Sequence, residues 1–330
     1  MHFQPVPLPT GEPAAVLDGV ARWITSAPLQ ELVAGFGGRW PTGDSPTLLA
    51  WLDAFSAQHW DFRATGARPS GARSNGARGV VERPDAPEPA LAPAVATLVT
   101  EAATALGMVT ARPPRHREYQ HLIVLGGLAH ACLRRTAYAA HLVRRGTAVH
   151  AMGVLGSYRQ LTPAELTLPA ARGCATEVDA LDLGVRRAFG LDCPAEAAPS
   201  VRTYLPPDGP PIIVLAAPSS DPDHRADTAD TQRFWARHAG LAKGDRVLVV
   251  TSPIYVPFQH CDAIRTLGLP YGCLVDTVGV DPRTTDDDLP EPTLTPGRYL
   301  QEIRSAIRAM RILVASLDGP TPPMIKASLT

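Results

Sequence analysis

Pro211-Ile212-Ile213-Val214-Leu215-Ala216-Ala217-Pro218-Ser219-Ser220 (residues 211–220) and Arg246-Val247-Leu248-Val249-Val250-Thr251-Ser252-Pro253-Ile254-Tyr255 (residues 246–255) decide the fold. Each is a short apolar run, rich in β-branched residues, that breaks into polar chemistry at its carboxyl end. Runs of this kind are strands buried on both faces, as in a parallel sheet covered by helices. Between them, Asp227 or Thr228 caps a helix that continues through Phe234 and Trp235.

The same alternation extends outward in both directions. Leu122–Leu125 reads as a strand closed by a Gly126-Gly127 turn, Ala129–Arg145 as a helix stopped by Gly146, and Ala148–Val154 as a second strand. Thr176–Phe189 is helical, with Glu177 and Asp179 in its first turn. After the two central strands come a helix from Pro257 to Leu267, a strand over Cys273–Val278 and a last helix over Tyr299–Leu317. This order implies right-handed crossovers and an α/β fold over residues 116–318: a Rossmann-like, doubly wound, mostly parallel sheet of five or more strands.

Residues 1–110 precede it as an α-helical N-terminal extension. Helices are expected at Ala14–Ser26, Leu29–Phe36, Thr47–His59 and Ala94–Gly107, with a Gly/Ala/Arg/Pro-rich linker over residues 63–93. Ser45-Pro46 is a helix start signal, a capping side chain followed by proline. Trp23, Trp40, Trp51 and Trp60 all fall in this part. They read as anchors of the helical layer on the main domain rather than as the lining of a ligand cleft.

Composition narrows the function. The chain has 330 residues and a formal net charge of −1, which lends no support to a nucleic-acid or anionic-membrane partner. Its basic side is almost all arginine, since Lys243 and Lys326 are the only lysines. Guanidinium forks suit phosphate and carboxylate. Five scattered cysteines without a Cys-x-x-Cys pair point to a reducing compartment and to no disulfide frame. No His-Glu-x-x-His pair or zinc knuckle is present, so these motifs assign no metal site. Neither a signal peptide nor a membrane-spanning run is evident, and the expected location is cytoplasmic.

In an open parallel sheet, ligands bind at the carboxyl ends of the strands, and the candidate site follows from that rule. Gly126 and Gly127 allow backbone amides to approach a phosphate beside a helix start, and they serve equally as a sterically required tight turn. Ser219, Arg225, Thr228, Asp230 and Thr231 gather after the strand at 212–216 and suit an anion. Thr251, Ser252, Tyr255, Gln259 and His260 follow the strand at 246–251. His260 is a candidate general base, Glu177 or Asp230 a candidate base or metal ligand, and Arg135 and Arg159 candidate anion ligands. The absence of a Gly-x-Ser-x-Gly elbow counts against an α/β-hydrolase.

These residues resemble a bacterial family of undefined function that includes the SanA, YdcF and ElyC proteins. The likeness covers about residues 119–280 and lies in Leu125-Gly126-Gly127, Arg135, Glu177, Arg225-Ala226-Asp227-Thr228, and Val250-Thr251-Ser252 with Tyr255. It implies a Rossmann-like fold with a polar site at the strand ends. The sequence therefore leads to an enzyme acting on a small anionic metabolite, a nucleotide or phosphorylated compound, by group transfer or hydrolysis. A nucleotide-type ligand is compatible with this site, and an oligomer is left open. The alternatives are a regulatory protein that binds such a metabolite without turning it over, and a scaffold for a partner protein.

Overall fold

The computed structural model describes residues 3–11, 13–62, 88–221, 223, 225–284, 289 and 294–317. Most of the expected 63–93 linker, and the residues between Arg225 and Asp221 at 222 and 224, fall wholly or partly outside that set. Among the described residues four helices open the chain: α1 (Pro13–Ile24), α2 (Ala27–Gly35), α3 (Ser45–His59) and α4 (Pro93–Ala105). Asp44 caps α3 by accepting from the Thr47 amide at 3.0 Å, with Pro46 following in the first turn.

The α/β part then runs β1 (Glu118–Leu125), α5 (Ala129–Arg144), β2 (Ala148–Gly156), a short α6 (Pro163–Leu166), α7 (Glu177–Phe189), β3 (Glu196–Ala198), β4 (Val201–Tyr204) and β5 (Ile212–Ala216). It continues with α8 (Thr228–Ala239), β6 (Arg246–Thr251), α9 (Val256–Ala263), α10 (Leu269–Tyr271), β7 (Leu274–Gly279) and α11 (Pro296–Leu317). The seven strands form one sheet in the order β3-β4-β5-β2-β1-β6-β7. β5, β2, β1, β6 and β7 are mutually parallel, and β3 and β4 add antiparallel at one edge.

Alternation along each strand divides the core in two. Leu122, Val124, Met152, Val154, Leu248 and Val250 face α5 and α7, whereas Ile123, Leu125, Leu155, Val247 and Val249 face the other side. On that other side lie Trp235 of α8, Ala263 of α9 and the α11 residues Leu300, Ile303, Ile307 and Met310. The first four helices join the same core through Val16, Trp23, Leu32, Leu49, Leu52 and Trp60. Trp23 and Trp60 are fully buried there, while Trp40 and Trp51 are partly buried against it.

The edge pair β3–β4 has no counterpart in the sequence reading, because neither strand carries a run of core residues. β4 is pinned instead by polar contacts to α7. Tyr204 donates to Asp182 at 2.7 Å, and Arg202 pairs with Asp179 and Asp182, each at 3.3 Å. No helix among the described residues is long and apolar enough to cross a membrane.

Candidate functional site

The parallel strands end together beneath a cleft of about 1510 Å³. The chain passes from β1 outward to β2 and β5, then returns to the other side of β1 with β6 and β7, so the strand order reverses at β1. Crevices form at such reversals because successive helices leave on opposite faces.

Gly126 and Gly127 floor the cleft, but the space they leave is already used. The Gly126 amide donates to Leu155 O at 2.8 Å rather than facing the opening. A Cβ at Gly126 would lie 2.5 Å from Glu177 Oε1, and one at Gly127 would lie 3.2 Å from the Arg135 guanidinium. The two glycines thus admit a carboxylate and a guanidinium against the strand end. The amide that opens α5, at Ala129, is also taken, donating to Glu165 at 2.8 Å.

Arg135, only 1% exposed, joins two strand ends. It donates to Leu125 O at 2.8 Å and to Gly126 O, and to Ser252 Oγ at 3.2 and 3.0 Å. The Tyr255 ring lies 5.8 Å from its guanidinium carbon. Every one of these partners is neutral, and no carboxylate stands within ion-pair distance among the described residues. Burial pushes this guanidinium below its ordinary pKa, with nearby Cys132, Tyr255 and Glu177 opposing the shift.

Glu177 opens α7 beneath the end of β2. Its Oε2 accepts from the Ser157 amide at 3.1 Å and the Ser157 hydroxyl at 2.6 Å, while Oε1 accepts no hydrogen bond among the described residues. Arg159 is engaged by Glu165 through two bonds of 2.9 Å and by Gly127 O at 2.7 Å. Burial alone would raise the Glu165 carboxyl, but Arg159 and the amides of Thr162 and Ala129 outweigh it and hold it at about 2. Arg225, Thr228 and Thr231 line the cleft below β5, and Gln259 lines it while accepting from the Thr251 hydroxyl.

Four expected site residues lie outside the cleft. His260 is fully buried between Thr277 at 3.0 Å and the Pro9 carbonyl at 2.6 Å, and burial drops its pKa to about 4. It ties the N-terminal arm to the sheet. Asp230 completes a capping box with Asp227 and accepts from the Ser220 amide at 3.3 Å, which accounts for its carboxylate structurally. Ser219 turns back to Asp221 O at 2.7 Å, and Thr251 is spent on Gln259.

Sequence reasoning missed much of the lining. Ser157 and Glu165 were not singled out, although Thr162-Pro163-Ala164-Glu165 is a legible capping box. His130, Arg134, Asp262 and Arg265 likewise line the cleft without a local signal, and so do Arg298 and Arg308 of α11. Among the described residues eight arginines and five carboxylates line the cleft, an excess of positive charge in a chain of net charge −1. His130 reports that excess. Burial first, then the guanidiniums of Arg135, Arg134 and Arg298, lower its pKa against the pull of Glu165. No group of three or more His, Cys, Asp or Glu side chains suited to a metal ion occurs among the described residues.

The Rv3785 N-terminal domain family matches residues 8–107. Two relatives align over nearly the whole chain: the uncharacterized protein Rv3785 of Mycobacterium tuberculosis (strain ATCC 25618 / H37Rv) and the uncharacterized protein Mb3814 of Mycobacterium bovis. Each is 34% identical over 344 aligned positions, covering 96% of this chain and 94% of its own length. No solved structure matches. These matches overturn the resemblance to the SanA, YdcF and ElyC proteins, which rested on short turn and strand-end motifs that any parallel α/β sheet can carry. By identity sustained from the first helices to the last, the chain belongs to the Rv3785 family.

Proposed function

We propose that this protein is an enzyme acting on a small anionic metabolite, a nucleotide or another phosphorylated compound, by group transfer or hydrolysis at the carboxyl ends of the parallel strands. One observation carries the reading: an arginine-dominated cleft holds a carboxylate that is fixed through one oxygen and unbonded at the other. Glu177 is oriented by Ser157, and its Oε1 is the candidate general base for a water or an acceptor hydroxyl. Arg135, Arg225 and Arg298 supply the positive charge that seats the anion, and Tyr255 flanks Arg135. Rate enhancement would come from positioning and charge stabilisation in a partly desolvated site. The strand order β5-β2-β1-β6-β7 supports a Rossmann-like, doubly wound assignment with the cleft at the switch point.

The test is incubation with a cell metabolite pool followed by mass spectrometry, for the full chain and for Glu177→Gln. Depletion of one phosphorylated compound by the parent chain, slowed on the order of a hundredfold or more by the variant, is the expected result. A second reading, a regulatory protein that binds the metabolite without turning it over, is favoured by the internal pairing of Arg159 with Glu165 and of Asp230 with its cap. A compound retained but unchanged by the parent chain selects that reading.

A further inference from the structure

The polar side of α11 runs along the cleft. Arg298, Gln301, Glu302, Ser305, Arg308 and Ile312 recur at intervals of one to four residues, and all line it. The apolar side, with Leu300, Ile303 and Ile307, is packed in the core. One helix face therefore forms a continuous wall, and at the rise of an α-helix it extends about 21 Å from Arg298 to Ile312.

The two ends of this wall differ in their surroundings. Arg298 lies in the first turn of α11 and lines the cleft together with His130, Arg134 and Arg135 of α5. Arg308 lies about 15 Å further along the axis. One turn before it, Arg304 pairs with Asp61 at 3.2 Å. Arg308 itself is exposed and makes no ion pair or hydrogen bond among the described residues. The cleft volume of about 1510 Å³ exceeds the roughly 300–1,000 Å³ of a pocket that encloses one drug-sized molecule. Between the two ends α11 presents Gln301, Glu302 and Ser305, and Tyr255 and Phe258 line the same cleft.

We infer that the cleft takes an extended ligand with two separate anionic groups, one seated at the strand ends by Arg135 and Arg298, the other at Arg308. This rests on the reading of the cleft as an anionic-metabolite site and narrows its ligand class. A compact monophosphate fills only the first position. The matching chemistry is two phosphoryl or carboxylate groups joined by an extended spacer.

Calorimetric titration of the full chain tests this, first with inorganic phosphate and then with alkane-α,ω-bisphosphonates of increasing spacer length. Tethering makes the second contact intramolecular, so affinity should rise at least about tenfold once the spacer spans about 15 Å. Arg308→Ala should return the long probe to the affinity of the short one and leave phosphate binding unchanged. Arg308→Glu should weaken the long probe further. Affinity that ignores spacer length, or a long probe indifferent to both variants, overturns the inference while leaving the anionic reading intact. If neither phosphate nor any bisphosphonate binds, the anionic reading itself fails and this inference falls with it.

Discussion

At the scale of single residues, Gly126 is where the fold and the candidate chemistry compete for the same space. A methyl group there would meet Glu177 Oε1 at 2.5 Å and the Leu155 carbonyl at 3.0 Å. Gly126→Ala should therefore displace the carboxylate and destabilise the chain by about 1–3 kcal/mol. Thermal unfolding and metabolite turnover measure the two effects, and an unchanged variant on both would remove Glu177 from its assigned place. Glu165 makes a prediction about acid. Its carboxyl is held at about 2 against an ordinary 4.5. A depressed carboxyl contributes stability that is fully present above the unfolded value and is lost as pH falls through the folded one, here from about 4.5 down to about 2. The contribution is roughly 3 kcal/mol at neutral pH. In Glu165→Gln the unfolding free energy should fall less steeply across that window. A variant whose acid unfolding overlays the parent's would show that Arg159 does not hold this charge.

At the scale of elements, α11 does two jobs because its two sides carry different chemistry. Ile303 is fully buried among residues of the sheet side and the first helices, so Ile303→Ala should cost about 2–5 kcal/mol. Chemical denaturation reads that loss, and a cost below about 1 kcal/mol would mean that this side of the helix is not core. Ending the chain before Pro296 should abolish cooperative folding, since the helix covers α3, α4 and α9 at once. A soluble truncated chain with a sharp melting transition would contradict this. Tyr299, Glu302 and Arg304 all stand in the cleft wall, so the helix also lines the candidate site.

At the scale of the whole molecule, the N-terminal helices and the α/β sheet share one hydrophobic core. His260 couples them through a bond between its ring and the Pro9 carbonyl, deep enough that burial keeps the imidazole neutral near pH 7. His260→Ala should cost about 1–3 kcal/mol and loosen the arm that Val6 pins to α4 through its 2.8 Å bond to Ala105 O. Faster amide hydrogen exchange at Val6, with β1 and β6 still protected, is the expected pattern. Unchanged exchange at Val6 would make the tie dispensable.

The sequence alone determined the five parallel strands and the helices between them, because apolar period, caps and stops act over a few residues. It also named Gly126, Arg135, Glu177, Ser252 and Tyr255 as candidates for a site at the strand ends, and the structure brings them to one cleft. Only the tertiary structure decided what each of them faces. A helix residue such as His260 points to cleft or core according to how its helix rotates against the sheet, and its burial settled that. Likewise Asp230 is taken up by its own helix cap and Arg159 by Glu165 and the Gly127 carbonyl. The edge strand β4 is held by its ladder to β5 and by Arg202 and Tyr204 reaching α7, β3 pairs with β4, and the far wall of the cleft comes from α11, well over a hundred residues after the Gly126-Gly127 turn. Such pairings depend on long-range packing, which no local pattern encodes.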